Sequence, residues 1–287
     1  MGMGDPITVR VVTDADATAA RALVAACNRH EGLDLAVNLD RSAVGEPANQ
    51  FVCHEDHTLV GIATLEPQQE IEACVAVHPG HRRRGIGRRL LDAIKTQTRE
   101  RGRRSCLLVC EEASASGRGF VITAGARYRN AEHRMRLHTA HTGVPSIPRR
   151  TALRLEHAQP VHLEAIGRIL AASFGSDPLH EQQRVVGDLR KPTHRYFLAT
   201  LGGEPVGTFG VVIAEGRVYI IGFGILPAFR GQGHGRTMLC DAIDLLTRER
   251  WREIYLEVAT ENGPAVALYR SAGFGVTSTY GFYELAV

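Results

Sequence analysis

The sequence predicts an α/β (α+β) fold made of two tandem copies of one domain, and three observations carry that prediction. The segments Arg82-Arg83-Arg84-Gly85-Ile86-Gly87-Arg88 and Arg230-Gly231-Gln232-Gly233-His234-Gly235-Arg236 share one pattern, an arginine leading two glycines separated by a single residue. They lie 230 − 82 = 148 positions apart, and the same offset carries Pro79 to Pro227 and Gly125 to Gly273. Around each loop the apolar pattern reads strand, loop, helix, strand. At 287 residues, 44% of them hydrophobic, the chain is about twice the usual domain size and each half can bury its own core.

Taken in order, each half opens with a short strand, at 7–12 and 152–155. A helix-like stretch follows. Thr13-Asp14 can cap one carrying Leu23, Val24 and Cys27, and Pro160 precedes Leu163, Ile166, Ile169 and Leu170 at helical spacing. Two runs with strand character come next, 49–53 with 59–65 and 196–200 with 206–213, and Gly61 and Gly207 sit just inside the second of each pair. An apolar strand, 71–77 or 218–226, then ends just before the shared proline. Beyond the glycine loop a helix bears Leu90, Leu91 and Ile94, or Met238, Leu239, Ile243 and Leu246. Gly102 is placed to end the first, and Arg248 and Arg250 suit the C-terminal end of the second. Another buried strand follows at 106–110 or 254–258, so each copy holds a βαβ unit whose two strands run parallel. Gly143-Val144-Pro145-Ser146-Ile147-Pro148 has two prolines and little periodicity, which places a linker at 144–150 between domains of 1–143 and 151–287.

Bulk chemistry narrows the partners. With 34 basic and 31 acidic residues the formal charge is +3, too mild to imply nucleic acid or an anionic membrane. Nine arginines and Lys95 crowd residues 82–104 against Asp92 and Glu100, and most of them read as a solvated helix face. The six cysteines lie in apolar runs with no Cys-x-x-Cys pair, which suits reduced, buried thiols and a cytoplasmic protein; Cys106 and Cys110 share a strand face without histidine at ligand spacing, so no metal site is expected. No apolar run approaches the ~20 residues that span a bilayer, and the first residues carry no apolar signal core.

The loops carry the chemistry. Glycines at a helix start let backbone N–H groups close on an anion, with the helix dipole adding positive potential, which suits a pyrophosphate. A Walker loop would need Gly-Lys-Ser/Thr, and a Rossmann loop a third glycine with a later acidic residue; neither set is present. Both segments resemble the acyl-CoA-binding signature of the GCN5-related N-acetyltransferases: Arg or Gln, two residues, Gly, one residue, Gly or Ala. The stretch Asn262-Gly263-Pro264-Ala265-Val266-Ala267-Leu268-Tyr269-Arg270-Ser271-Ala272-Gly273-Phe274 is similar to the same family's Asn…Ala…Tyr…Gly-Phe segment. The resemblance covers nearly the whole chain and implies, in each copy, a mixed, mostly antiparallel sheet with a central splayed parallel pair flanked by helices. It implies that Phe223, Gly224, Ile225 and Leu226 line pantetheine, and that Arg230 to Arg236 (Arg230, Gly231, Gln232, Gly233, His234, Gly235 and Arg236), with Asn262, hold acetyl-CoA. In the first copy the counterparts are Val75, Ala76 and Val77 with Arg82, Arg83, Arg84, Gly85, Ile86, Gly87 and Arg88.

Asn262 can cap a short helix, Pro264 fits its first turn and Gly273 can end it, so Tyr269 falls beside the cofactor strand. Acyl transfer to an amine expels a thiolate, and a phenol can protonate it at a cost of about 2 kcal/mol, from reference pKa values about 1.5 units apart. The resemblance makes Tyr269 the general acid; a packing tyrosine is the bland alternative. In the first copy 269 − 148 = 121 is Val121, which donates nothing, and Gly117 and Gly119 weaken the helix expected there. The first copy is therefore expected to be catalytically degenerate. For the base that deprotonates the incoming ammonium, Glu257 and Glu215 are the candidates, with ordered water the other route; His234 is expected to contribute backbone.

The resulting expectation is an acetyl-CoA-dependent N-acetyltransferase, with its C-terminal copy active on a primary amine of a small molecule or peptide. The tandem arrangement resembles that of mycothiol synthase, which acetylates a cysteinyl amine; aminoglycosides, polyamines and protein amino termini are other acceptors. A non-catalytic acyl-CoA sensor or scaffold is the alternative class. Nucleic-acid binding is disfavoured because the arginines lack interleaved aromatics. Monomer and homodimer both stay open, and acceptor specificity is assigned to 174–189, the strand ends and 279–284.

Overall fold

A computed structural model of the protein describes residues 7–35, 49–67, 70–139, 153–214 and 216–287; the expected linker at 144–150 and Glu215 lie outside them. The chain forms two compact units, one of residues 1–132 and 278–287, the other of residues 133–277.

The first unit contains β1 (Thr8–Val11), α1 (Ala17–Glu31), β2 (Gln50–Glu55), β3 (Thr58–Pro67), β4 (Ile71–Val77), α2 (Ile86–Glu100), β5 (Ser105–Glu111), α3 (Ala115–Thr123) and the first half of β6 (Arg127–His138). Strands β1 to β4 pair antiparallel in order, and β4 runs parallel to β5. Asp16 starts α1: its buried carboxylate accepts from the Thr13 amide at 2.7 Å and hydroxyl at 2.8 Å and from both Arg10 terminal nitrogens at 2.7 Å. Gly32, in the left-handed region, ends it. Despite its two glycines α3 forms, because Ser114 accepts from the Gly117 amide at 2.9 Å and Val121 is buried. Gly117 is small for a packing reason, since a Cβ there would stand 2.8 Å from Cys110 Sγ.

The second unit contains β7 (Arg154–His157), α4 (Leu163–Phe174), α5 (Pro178–Leu189), β8 (His194–Leu201), β9 (Glu204–Ala214), β10 (Arg217–Ile225), α6 (His234–Arg248), β11 (Glu253–Ala259), α7 (Gly263–Ser271) and the start of β12 (Gly275–Ala286). Strands β7 to β10 pair antiparallel in order, and β10 runs parallel to β11. Helix α5 is absent from the sequence expectation, because its apolar stripe is sparse. Asp177, accepting from the His180 amide at 2.8 Å, and Pro178 in the first turn start it, and Val185 anchors it.

The repeat reaches down to element boundaries. Adding 148 to the bounds of α2, β5, α3 and β6 gives those of α6, β11, α7 and β12. Gly61 and Gly207 let the helix after each loop press on the hairpin: a Cβ at Gly61 would lie 2.9 Å from Ile86 and Leu90, and one at Gly207 3.0 Å from Met238 Sδ. The division into units differs from two contiguous stretches, 1–143 and 151–287. Residues 280–286 of β12 pair antiparallel with 105–111 of β5, completing the first unit's sheet, while residues 133–138 of β6 complete the second unit's sheet beside β11. β6 and β12 are the same element of the repeat, and each lies beside the parallel pair of the other copy.

Candidate active site

In the second unit the parallel ladder between β10 and β11 runs from Val218↔Ile254 to Ile220↔Leu256 and stops there, although both strands continue. Gly222, at φ +54°, and a register break against β9 between Ile221 and Gly224 mark the bend. Beyond it, residues 221–225 turn an edge of backbone groups toward the gap, where an extended polar chain could pair with them. Phe223 and Ile225 flank this edge, while Leu226 packs under α4 and its amide bonds Val206 O at 2.9 Å.

The loop follows directly. Gly231 and Gly233 take φ +75° and +86°, and Gly233 is the residue in front of α6. The first turn closes with the Thr237 amide on Gly233 O at 3.1 Å, so the amides of Gly233, His234, Gly235 and Arg236 precede the helical ladder and can receive an anion. The side chains do other work. Arg230 turns back to donate to Ile225 O at 2.9 Å and Ala172 O at 3.4 Å, Gln232 donates to Ala228 O and Arg236 to Ser271 Oγ. His234 is buried and, among the described residues, neither ring nitrogen is hydrogen-bonded; its ring stands edge-on to Phe229. Backbone amides, then, are what the loop presents to an anion.

Helix α7 brings Tyr269 to this strand. Asn262 accepts from the Ala265 amide at 3.2 Å, Pro264 occupies the first turn, and Gly273 at φ +94° follows the end. The Tyr269 ring, 5% exposed, stands edge-on to Phe223 at 5.9 Å and to Phe274 at 6.1 Å between centroids. Its hydroxyl makes no hydrogen bond among the described residues, and burial pushes the phenol well above its ordinary pKa. The phenol lies protonated beside the split strand, and the same burial makes it a weaker acid than a free tyrosine, so passing its proton to a thiolate costs more than reference pKa values give.

Glu257 is on β11 with a half-exposed carboxylate, and Arg134 holds it through Nε at 3.0 Å and a terminal nitrogen at 2.9 Å. Arg134 belongs to β6, 123 residues away, and nothing in the local sequence of β11 signals that partner. Another group missed by sequence reading is Ser173 of α4: its Oγ is buried without a partner among the described residues and is 2.4 Å from where a Cβ on Gly224 would be, so only glycine fits there.

The first unit repeats the backbone plan. Strands β4 and β5 pair through Glu72↔Leu107 and Ala73↔Leu108 and then part, leaving Val75, Ala76 and Val77 on the separated stretch. Gly85, at φ +82°, precedes α2, whose first turn closes with the Arg89 amide on Gly85 O, leaving Gly85, Ile86, Gly87 and Arg88 as the leading amides. Arg82 donates through Nε to Val77 O at 3.1 Å, as Arg230 does to Ile225. Arg83 takes φ +65° where the second loop has glycine, and Arg84 pairs with Glu55. At the place of Tyr269 stands buried Val121.

Known proteins bear on this geometry. The acetyltransferase (GNAT) family pattern matches residues 163–274, and the acetyltransferase (GNAT) domain pattern matches residues 46–130. A mycothiol acetyltransferase of Kineococcus radiotolerans is 30% identical over an alignment 286 positions long that covers 90% of this chain and 89% of that one. The chain belongs to the GNAT family. This GNAT protein is a tandem two-domain member with mycothiol synthase-like architecture, and it is an N-acetyltransferase. A segment covering 30% of the chain is 39% identical to the N-alpha-acetyltransferase RimI of Mycobacterium tuberculosis, over 56% of that protein. In fold it matches a GCN5-related N-acetyltransferase from Sphaerobacter thermophilus at a TM-score of 0.82, with 20% identity and coverage of 98% and 95% of the two chains. Family membership implies acetyl-CoA as donor. Among the described residues no group of three or more His, Cys, Asp or Glu side chains is placed to hold a metal ion, and no helix is long and apolar enough to cross a membrane.

Proposed function

We propose that the second unit carries out acetyl transfer and that the first does not. The observation behind this reading is Tyr269, a buried phenol without a hydrogen bond, set against Phe223 of the separated strand, where the first unit has Val121. In this reading the backbone of 221–225 aligns the pantetheine, and the amides of Gly233 to Arg236 receive the diphosphate. The acceptor nitrogen attacks the thioester carbonyl, the C–N bond forms as the C–S bond breaks, and the departing sulfur takes its proton from Tyr269. The proton lost by the ammonium leaves through water or one of the two glutamates. Glu257, which Arg134 holds, and Glu215 are those two candidates.

For the acceptor we propose a cysteinyl amine of a small thiol compound. The support is the relatives named mycothiol acetyltransferases, which match over most of their length. A protein amino terminus is the second reading, favoured by the local similarity to RimI. The free cysteines, five of them buried, suit a reducing cytoplasm, where we place the protein.

The deciding experiment is steady-state release of CoA with a panel of amines, using Tyr269→Phe as the companion. Loss of an acid lowers kcat by about 10²- to 10⁴-fold, while the Kd for acetyl-CoA stays within about fivefold because an ordinary hydroxyl contact is worth roughly 1 kcal/mol. Turnover unchanged in Tyr269→Phe would remove the acid role, and binding of acetyl-CoA without turnover on any amine would favour a sensor.

A further inference from the structure

The two splayed strand pairs share a backbone but are covered differently. In the second unit α4 ends with Phe174 before left-handed Gly175, and the chain runs on to α5; among the described residues no hydrogen bond joins residues 174–177 to β11 or α7. Phe174 is 58% exposed.

The first unit places Glu31 just before left-handed Gly32, the position of Phe174. Its carboxylate accepts from Ser114 Oγ at 2.8 Å and Ser116 Oγ at 2.7 Å, in the first turn of α3, and from Arg82 of the glycine loop. The next residues are tied from both sides. Asn28 accepts from the Leu35 amide and donates to Leu35 O, both at 3.0 Å. Glu111, at the end of β5, accepts from the Asp34 amide at 3.1 Å, and the Tyr280 hydroxyl donates to Asp34 O at 2.6 Å. The space left between β4 and β5 is lined by Leu33 and Leu35 from this segment, facing Cys74, Cys110, Phe120 and Val121. Applying the offset of 148, Glu111 and Ser116 stand where the second copy has Ala259 and Pro264, which can make neither bond. Three positions thus differ together, and all three serve one bridge.

We propose that residues 31–35 form a strap that closes the first copy's cofactor groove. The strap bridges the end of α1, the glycine loop, the end of β5 and the start of α3, across the lane pantetheine takes in the second copy. The carboxylate of Glu31 adds a negative charge beside the loop that would otherwise receive a diphosphate. One molecule of acetyl-CoA per chain is the consequence, bound at the second loop, and that part rests on the function proposed above.

Hydrogen exchange of the full chain with and without acetyl-CoA, together with calorimetric stoichiometry, tests this. The expected result is one acetyl-CoA per chain, with slowed exchange at 231–237 and no change at 83–89. Two per chain, or slowed exchange at 83–89, overturns the strap. No change at either loop supports closure of the first groove and overturns the cofactor site proposed for the second. In Glu31→Ala/Glu111→Ala the stoichiometry should move from one toward two; a folded double variant that stays at one overturns the strap as the cause. Should that variant fail to fold, the measurement on the unaltered chain decides.

Discussion

Arg83 and Gly231 occupy the same turn in the two loops, at φ +65° and +75°. An L-residue there crowds its Cβ against the following carbonyl, which costs roughly 1–2 kcal/mol, and nothing lies within 4 Å of where a Cβ on Gly231 would be. Gly231→Ala should therefore lose about 1 kcal/mol of stability through backbone strain alone. Arg83→Gly should gain up to about 1 kcal/mol, reduced by the greater freedom of glycine in the unfolded chain. Chemical denaturation of the two variants measures both. Tyr269 makes a second prediction at this scale. Burial raises its pKa above the ordinary value of 10, so it stays protonated throughout the neutral and mildly alkaline range. The kcat profile should rise with pH as the acceptor ammonium deprotonates and show no descending limb below about pH 10. A fall near pH 8 or 9 would show an acid other than this phenol.

Among the elements, β10 does most to make a site, because it is a ladder partner over three residues and an open edge over the next five. What bends it is close packing: a Cβ on Gly207 would stand 2.5 Å from Ile225 Cδ1 and 3.0 Å from Gly224 O. Gly207→Ala should push the end of β10 outward, with an overpacking cost of about 1–3 kcal/mol. The loop amides move with it, so KM for acetyl-CoA should rise more than kcat falls. Thermal denaturation with initial-rate kinetics separates these effects, and a variant with unchanged stability would show that the strand end has room to spare. The leading arginines belong to this scale as well. Arg82 and Arg230 each brace a strand end through its last carbonyl, so the arginine of the loop pattern is a strut of the turn.

On the scale of the whole molecule, the exchanged last strands tie each unit's sheet to sequence from the other copy. Residues 280–286 hydrogen-bond along 105–111, and the Tyr280 hydroxyl reaches Asp34. Deleting residues 278–287 from the C-terminus should thus expose β5 and destabilise the N-terminal unit, leaving β10 and β11 paired. Hydrogen exchange should accelerate at 105–111 and stay slow at 254–256; acceleration confined to the C-terminal unit would contradict the strand exchange. The same logic explains why Glu257 is paired with Arg134: the strand beside β11 comes from the first copy.

The repeat, the βαβ units, the anion-ready glycine loops and the position of Tyr269 were all legible in the sequence, because they rest on local chemistry: glycine at positive φ, capping residues and apolar period. The tertiary structure alone decided which last strand completes which sheet, since β6 and β12 hold the same place in the repeat and pairing energy is collected only between distant segments. It alone placed Arg134 on Glu257, and Glu31, Glu111 and Ser116 around one bridge. Those side chains sit far apart in the chain and show no periodicity; their meaning arises only when the fold brings their charges and hydroxyls within hydrogen-bonding distance.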